Sequence, residues 1–383
     1  MSQSFGCCRT LVSSALLAWS FAGVCPVAAS AQQSEAQAPV AGAVAGSVEQ
    51  GGGEQAPAPQ RSSPWLLVPL VSSNPKLGTS FGGLGAYLHV FDPGSRVSMF
   101  GVNLQYTSTD STIALVFART SFRADRHRIV AMAALGYIKN DYEDFLGSGQ
   151  PLRTNDHVKA ITGRYVYRLK GDWFVGARGV AADYQVLGES ALDDFVLETL
   201  GVQGFNSRAL GAVAIHDSRD NQDMPTRGWF LDLNNLAYRE ALGGSASFDA
   251  YRADLRGFWR HGGGHVLALR QFNWLTSDAP GAAQATVVLR GYTRGEHLAP
   301  YMSLIEAEER LSLSPRWGVT LFAGVAGLYG ASGAFSDSNG SYPTVGAGVQ
   351  FVIRPVQRML VNLEYAQGVE GHRAVLLKFG YDW

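Results

Sequence analysis

The sequence predicts an all-β protein, a transmembrane antiparallel β-barrel of about sixteen strands. The prediction depends on three observations. The chain opens with an export signal, it closes on a strand of alternating apolar side chains, and its mature part lacks a charge-free apolar stretch of the roughly 18 residues that a spanning helix needs. Because lipid cannot satisfy the polar groups of an open sheet edge, such a membrane protein must close its strands into a barrel.

Residues 1–31 have the features of a signal peptide. Arg9 gives a weakly basic start, residues 11–24 form a short apolar core, and residues 29–31 are small, so we expect cleavage before Gln32. A lipid anchor on Cys25 is the alternative, but lipidated cysteines normally follow Gly or Ala rather than Val. All three cysteines lie in this segment, so the mature chain is expected to have no thiol, disulfide or thiolate metal site.

Composition and charge narrow the class further. Charged residues make up 16% of the chain, against about 25% in soluble domains. The net charge of −1 argues against a nucleic-acid partner. Residues 32–63 are rich in Ala, Gln, Gly, Ser, Pro and Glu and predict a disordered periplasmic tail. Residues 64–383 are predicted to form the barrel. The dispersed histidines suggest neither a metal site nor a cofactor.

Sixteen strands can be assigned from Trp65 onward. In chain order, the predicted spans are 65–73, 79–91, 96–107, 110–121, 126–138, 157–169, 172–185, 206–217, 227–239, 247–260, 264–276, 301–313, 317–330, 342–353, 358–366 and 373–383.

The connections between these strands support the count. If the amino-terminus is periplasmic, every even-numbered connection is periplasmic too, and barrels keep those connections short. Most even-numbered connections are indeed short, such as 92–95, 170–171 and 314–315, whereas the odd-numbered 186–205 and 277–300 are long. A random miscount would not sort the turns in this way.

Alternation of side chains assigns the faces of two strands. In the last strand, Phe379 and Trp383 belong to an apolar set on every second position. In the strand at 247–260, Arg252, Asp254 and Arg256 share one face, which we assign to the lumen because a mid-membrane Arg facing lipid would cost about 2–4 kcal/mol. Residues 128–137 alternate poorly, so the sequence does not fix their register.

Two segments are more specific than a generic barrel pattern. Residues 288–292 read Val-Leu-Arg-Gly-Tyr and lie in the longest predicted outer loop. Residues 217–221 read Asp-Ser-Arg-Asp-Asn at a predicted inner turn, followed at 225–231 by Pro-Thr-Arg-Gly-Trp-Phe-Leu. The candidate residues of this turn motif are Asp217, Arg219, Asp220, Asn221, Pro225, Arg227 and Gly228.

Together the two motifs resemble the BamA/TamA superfamily of outer-membrane assembly factors, also called the bacterial surface antigen family. That family carries an Arg-Gly-aromatic tip on the loop between strands eleven and twelve, and an Asp-x-Arg-Asp-Asn turn before strand nine. The resemblance covers about residues 65–383. It implies a loop that folds into the barrel, with Arg290, Gly291 and Tyr292 at its tip.

The resemblance also implies acidic partners for Arg290 on the barrel wall. Residues 307–310, Ala-Glu-Glu-Arg, resemble the family's Ala-Glu-aromatic-Arg wall segment, with Glu309 in place of the aromatic. We therefore predict Glu308 as the partner, with Glu306 nearby, because a guanidinium binds a carboxylate bidentately. A solvated loop arginine is the alternative. The family often has an acid in the next strand, but residues 322–326 contain none, which predicts a weaker wall contact.

The closure of the barrel is the third candidate region, and it comprises Pro69, Phe379 and Trp383. The first strand must pair with the last, and Pro69 cannot donate a hydrogen bond to the ladder. A seam that opens sideways and templates an incoming strand is one hypothesis. A bulge at Pro69, or a strand that starts after it, is the other.

The resemblance implies a bacterial outer-membrane barrel that helps insert or transport proteins, or lipids. The family normally carries periplasmic POTRA modules, and the tail is too short for one, so we expect a barrel-only member. Expected partners are outer-membrane lipids, including lipopolysaccharide, and unfolded outer-membrane proteins; oligomeric state is left open. A passive porin-like or structural barrel is the alternative. No enzyme is expected, since the faint lipase-like pattern of His216, Ser218 and Asn221 falls in the turn motif.

Overall fold

The computed structural model describes residues 63–74, 78–142, 152–188, 190, 204–221, 224–280, 283–292, 297–332, 339–354, 359–369 and 372–379. Within these ranges, sixteen strands form one antiparallel sheet in which each strand pairs with its neighbours in chain order, and two short strands form a separate pair. The predicted signal peptide, nearly all of the predicted tail, and Trp383 lie outside the described residues.

The strands are numbered in chain order, with their bounds in parentheses. They are β1 (Trp65–Asn74), β2 (Gly78–His89), β3 (Ser98–Thr107), β4 (Thr112–Phe122), β5 (His127–Tyr142), β6 (Leu152–Lys170), β7 (Trp173–Gly188), β8 (Gly204–Asp217), β9 (Gly228–Tyr238), β10 (Phe248–His261), β11 (His265–Ser277), β12 (Ala285–Thr286), β13 (Leu298–Ala299), β14 (Tyr301–Ser312), β15 (Trp317–Tyr329), β16 (Gly340–Arg354), β17 (Met359–Gly368) and β18 (Arg373–Phe379).

The prediction of an antiparallel barrel with sixteen strands is confirmed, and each predicted strand corresponds to one strand of the large sheet. The main difference is the hairpin of β5 and β6, which continues to Tyr142 and starts again at Leu152. Its outer part is polar, so it lacks the apolar alternation that marks a strand in the sequence. A 3₁₀ helix spans Glu240–Leu242, and the described residues include no helix of the length and apolarity needed to cross a membrane.

The outer face of the sheet carries a continuous apolar band. Its middle consists of exposed aliphatic side chains, among them Leu104, Val116, Ile161, Leu255 and Leu321. Exposed aromatic side chains lie towards both ends of the strands, and the inner end, where β1 begins, has the tryptophans Trp65, Trp173, Trp229, Trp259 and Trp317. Aromatic girdles around an aliphatic band are typical of barrels that cross a bilayer.

The inner face of the sheet carries buried side chains, both polar and apolar. The face assignment from the sequence holds for β10, since Arg252 and Asp254 are buried whereas Tyr251 and Trp259 are exposed on the outside. Apolar side chains of β1 to β5, such as Leu84 and Met99, form one cluster inside the sheet. A second cluster lies on the inner face of β11, β14 and β15, where residues of the long outer loop pack against it.

The two ends of the sheet approach each other. Cα atoms of β1 and β18 come within 8 Å, although no ladder register joins them among the residues described. Pro69 lies within β1 opposite Gly83, in a register with β2 that runs from Trp65 to Asn74 without a shift. The strand therefore does not start after Pro69, and its pairing with β2 has no bulge. Phe379 is the last described residue of β18, opposite Val361.

Candidate functional site

The long loop between β11 and β14 folds into the barrel, as its sequence predicts. The short strands β12 and β13 pair inside the loop, with Ala285 opposite Ala299. Val287 and Leu289 are buried against Phe272 of β11 and other apolar side chains of the inner wall. This apolar packing stabilises the loop in the lumen, because each buried aliphatic side chain contributes about 1.5–3 kcal/mol.

Arg290, at the loop tip, is buried in a ring of carboxylates from the wall. Its Nε donates to Oε1 of Glu306 at 2.7 Å, and its Nη1 donates to Oε2 of Glu308 at 2.8 Å. Nη1 also reaches Oε2 of Glu364 at 3.2 Å. The guanidinium carbon lies 3.5 Å from the ring centre of Phe322. The structure thus brings together the three acids and Arg290, and the solvated-arginine alternative does not describe this geometry.

Two of these wall contacts were not anticipated from the sequence. Glu364 belongs to β17, and Phe322 belongs to the segment of β15 that lacks an acid. An aromatic face attracts a guanidinium, so Phe322 stabilises Arg290 from a segment of the wall that contains no acid. The sequence marks Glu364 only as a polar residue that alternates with apolar ones in its strand, and in the structure it accepts a hydrogen bond from Asn362. Glu309 follows Glu308 in the wall segment, and its Oε1 lies 2.8 Å from Nε2 of His261.

Gly291 turns the loop tip against the wall. Its φ is +99°, a conformation that L side chains rarely adopt, and a Cβ at this position would lie 3.4 Å from the backbone nitrogen of Gly368. The carbonyl oxygen of Arg290 accepts a hydrogen bond from Oγ1 of Thr344 at 2.7 Å. Both the backbone and the side chain of the tip are therefore fixed to the wall.

Tyr292 joins the loop to the outer ends of the last strands. Its hydroxyl donates to the carbonyl of Pro343 at 2.6 Å and accepts from the backbone N–H of Val369 at 3.1 Å. Its ring lies 4.9 Å from that of His372 and packs over Gly368, where a Cβ would lie 2.6 Å from the ring. The loop tip therefore contacts the hairpin that leads into β18, one of the two ends of the sheet.

The turn motif lies at the inner end of the barrel, and Asp217 anchors it. The side chain of Asp217 is fully buried. It accepts hydrogen bonds from Arg219 at 2.8 Å, from Arg128 of β5 at 3.0 Å and from Arg96 at 3.1 Å. Arg96 belongs to the connection between β2 and β3, so one carboxylate joins β8 to distant parts of the barrel.

Asp125 is a second carboxylate in the same cluster. It accepts from Arg128 at 2.7 Å, from Arg96 at 3.2 Å and from Arg168 of β6 at 2.5 Å. The ring of Phe174, which is fully buried, lies 3.7 Å from the guanidinium carbon of Arg128. We name the residues Arg96, Asp125, Arg128, Arg168, Asp217 and Arg219 the inner-mouth cluster. Sequence reasoning found only its members in the turn motif.

The rest of the motif shapes the turn itself. Asp220 accepts hydrogen bonds from the backbone N–H of Thr226 at 2.8 Å and of Arg227 at 3.1 Å. Partial burial alone would raise the pKa of Asp220, but hydrogen bonds from Thr226 and Arg227 outweigh it and lower the pKa. Asn221 accepts from the N–H of Met224 at 2.8 Å. Gly228 has a φ of +103°, and a Cβ there would overlap with the carbonyl oxygen of Ser218.

A chain of contacts links the turn to the loop tip. Nε of Arg310 donates to Oε1 of Glu308 at 2.6 Å, while Glu308 also binds Arg290. Nη1 of Arg310 donates to the carbonyl oxygen of Pro225 at 3.3 Å. The two sequence motifs, which are far apart in the chain, therefore meet through a wall arginine.

The residues of the faint lipase-like pattern contact the turn and its neighbouring strands. The hydroxyl of Ser218 bonds to the backbone of Trp229 at 3.0 and 3.3 Å, and the ring of His216 lies 5.0 Å from that of Trp173. Asp217, between them in sequence, binds arginines. Within the described part of the chain, no three His, Cys, Asp or Glu side chains are grouped so that they could hold a metal ion.

Comparison with solved structures finds several proteins of similar fold. CdiB from Escherichia coli aligns with a TM-score of 0.59 and 9% identity, over 85% of this chain and 64% of that chain. CdiB from Acinetobacter baumannii aligns at 0.55 and 9%, over 83% and 59%. The fold resembles that of CdiB. BamA from Haemophilus ducreyi lacking POTRA domains 1–3 aligns at 0.50 and 11%, over 84% and 70%.

These likenesses concern the fold, since the identities are low. The chain spans less than two thirds of the length of either CdiB chain. Neither a family model nor a curated protein matches the sequence.

Proposed function

We propose that this chain is a bacterial outer-membrane barrel of the BamA/TamA type that assists the insertion or transport of proteins, or of lipids, at that membrane. The observation that carries the proposal is the loop tip, with Arg290 buried among Glu306, Glu308 and Glu364 inside a barrel of sixteen strands. The likeness of the fold to BamA and CdiB supports it independently.

The buried charges of this loop tip distinguish it from a loop that is held by apolar packing alone. Removing charges from water is costly, so a buried arginine and three buried carboxylates are a poor means of simply filling a lumen. Apolar side chains of similar size would stabilise the loop as well. A charged contact with specific geometry instead fixes one orientation of the loop, and such a contact can be broken and re-formed.

The two ends of the sheet supply the place where a client strand would bind. β1 contains a proline that cannot donate to a ladder, and proline is found mainly at sheet edges. Tyr292 contacts the hairpin that leads into β18, so the loop and the seam are neighbours. An incoming strand would add to an exposed edge by main-chain hydrogen bonds. Unfolded outer-membrane proteins are the proposed clients.

Photo-crosslinking in living cells tests this proposal. A crosslinkable residue is placed one position at a time along 65–73 and 373–379, and the trapped species are identified by mass spectrometry. Matched controls carry the same residue at Leu255 and Leu269, which are exposed on the apolar outer face away from the seam. We expect outer-membrane proteins to be captured at the seam and only lipid at the controls. Lipid and the opposite strand alone at the seam would contradict the proposal.

A passive pore is the second candidate, and the polar lumen favours it. Arg164 binds Asp232 at 2.8 Å and Arg178 binds Asn234 at 2.7 Å, both on the inner face of the sheet. Charged and polar side chains line the channels of porins. Planar-bilayer recording distinguishes the two: a plugged assembly barrel should conduct little and should conduct more after Arg290→Ala. A large, steady conductance that ignores this change would favour the pore.

A further inference from the structure

Arg310 contacts both the ion cluster around the loop tip and the turn at the inner mouth. It lies on the inner face of β14 and is 5% exposed. One side of its guanidinium binds Glu308, which holds Arg290, and the other binds the carbonyl of Pro225. A backbone carbonyl has no net charge, so this second contact does not balance the charge of Arg310. It depends on the position of the turn.

The turn that Arg310 contacts is itself fastened to the far side of the inner mouth. Asp217 begins the motif and binds Arg96 and Arg128, whose elements lie five and three strands away along the sheet. Hydrogen bonds from the backbone of Thr226 and Arg227 to Asp220 fasten the residues after Pro225 to the residues after Asp217. A displacement of Pro225 would therefore be transmitted to Asp217 and to the inner-mouth cluster.

We propose that Arg310 couples the inward loop to the inner mouth of the barrel. When Arg290 leaves the wall, the carboxylates that it bound attract the guanidinium of Arg310 more strongly, so Arg310 shifts towards them and away from Pro225. The carbonyl of Pro225 then loses its donor, and the turn loosens. Arg310 is a positioning residue, since it acts through Glu308 and Pro225 rather than on a client.

The geometry needs an arginine at this position. Nε lies 2.6 Å from the carboxylate of Glu308, and Nη1 lies 3.3 Å from the carbonyl oxygen of Pro225. A planar guanidinium can bind both partners at once. A lysine places one point charge at the end of its chain. It can keep the ion pair with Glu308, but it cannot hold the carbonyl at the same time.

The coupling through Arg310 does not require that the barrel inserts proteins or conducts ions. A negative result for the coupling therefore leaves the proposed function standing, and a negative result for the proposed function leaves the coupling standing. The test uses a single spin label at Met224→Cys in the turn, in the full mature chain reconstituted in lipid vesicles. Residues 26–383 contain no cysteine, so the label is unique. The label's mobility is measured in four backgrounds: unaltered, Arg290→Ala, Arg310→Lys, and both together.

We expect the mobile fraction of the label to rise several-fold in each single variant, with no further rise in the double variant. Arg208→Gln is the matched control, because Arg208 is an arginine of β8 that binds Asp183 near the outer end of the strand, away from the turn. It should leave the label unchanged. An unchanged label in Arg290→Ala, in a chain that still migrates as a folded barrel, would overturn the proposal. So would additive effects of the two substitutions.

Discussion

At the scale of single residues, the members of the loop-tip cluster differ in the contacts that they make. Arg290 binds three buried carboxylates, and Arg310 binds one of them. Glu308 is the shared member, because it binds both arginines. Glu364 makes the longest of the contacts with Arg290, at 3.2 Å. The three carboxylates therefore should not contribute equally.

Removing the loop arginine should be the most damaging change in the cluster. Arg290→Ala removes the arginine that binds all three buried carboxylates, and loss of one partner of a buried pair typically destabilises by about 3–5 kcal/mol. We expect a loss of that size in the free energy of unfolding, measured by urea titration of the barrel in lipid vesicles. Arg260→Ala, at an exposed position of the inner rim, is the control and should have little effect.

The carboxylates themselves give a second prediction. Glu364→Gln affects only the longest of the described contacts with Arg290 and keeps an oxygen that can accept from Asn362, so the free energy of unfolding should change by less than about 1 kcal/mol. Glu308→Gln weakens the contacts of two arginines and should lose about 3 kcal/mol or more. The same titration compares the two variants. Equal losses would show that Glu308 has no bridging role.

The residue scale is also where sequence reasoning reached its limit. Arg290, Glu306 and Glu308 could be named because they fall in motifs that mark them. Glu364 and Phe322 lie in strands without such a motif, and their distance from Arg290 depends on the register of three ladders. The contact of Arg310 with Pro225 involves a carbonyl, a group that every residue carries, so no pattern of residue types could predict it.

At the scale of elements, the turn between β8 and β9 depends on the backbone conformation of Gly228. Its φ is +103°, and a Cβ at this position would overlap with the carbonyl oxygen of Ser218. Gly228→Ala should therefore lose at least about 1–2 kcal/mol from the conformation alone. Gly327→Ala is the matched control, since a Cβ there meets nothing within 4 Å. Thermal unfolding of the two variants should separate them clearly; equal transitions would contradict the assigned turn geometry.

The same turn should respond to acid. Because the pKa of Asp220 is lowered from its ordinary value of 3.8, the charged carboxylate stabilises the turn above that pH, and the stabilisation is lost as pH falls through the lowered pKa. Protection of the Thr226 and Arg227 amides from hydrogen exchange, corrected for intrinsic rates, should thus fall below about pH 3.8. Asp220→Asn should show weak protection at every pH. Unchanged protection of the unaltered chain in acid would contradict this role.

Most strands were predictable because their outer faces must be apolar and their inner faces tolerate charge. β5 was the exception, and the structure gives the reason. Its inner face carries Met132 and Ala134, which are buried in apolar clusters inside the barrel, while Leu135 is exposed on the outer face. With apolar side chains on both faces, the sequence of this strand has no alternation from which to read its register.

At the scale of the whole molecule, the loop, the turn and the seam form one system. The loop tip binds the wall near the last strands, Arg310 joins that site to the inner mouth, and the two ends of the sheet approach without a described ladder. The number and order of the strands followed from the pattern of long and short connections. Closure of a barrel requires β1 and β18 to approach each other, but the sequence could not give their register, because pairing across a seam leaves no periodic signal.

Client insertion with the seam locked and unlocked is the decisive measurement for the proposed function. One cysteine is placed in 65–74 and one in 373–379, choosing the pair that forms a disulfide most completely. Vesicles containing this variant receive a urea-unfolded outer-membrane protein, and its folding rate is measured before and after addition of a reductant. We predict little acceleration by the oxidised barrel and strong acceleration by the reduced one. Equal acceleration in both states would contradict a seam that opens to receive clients.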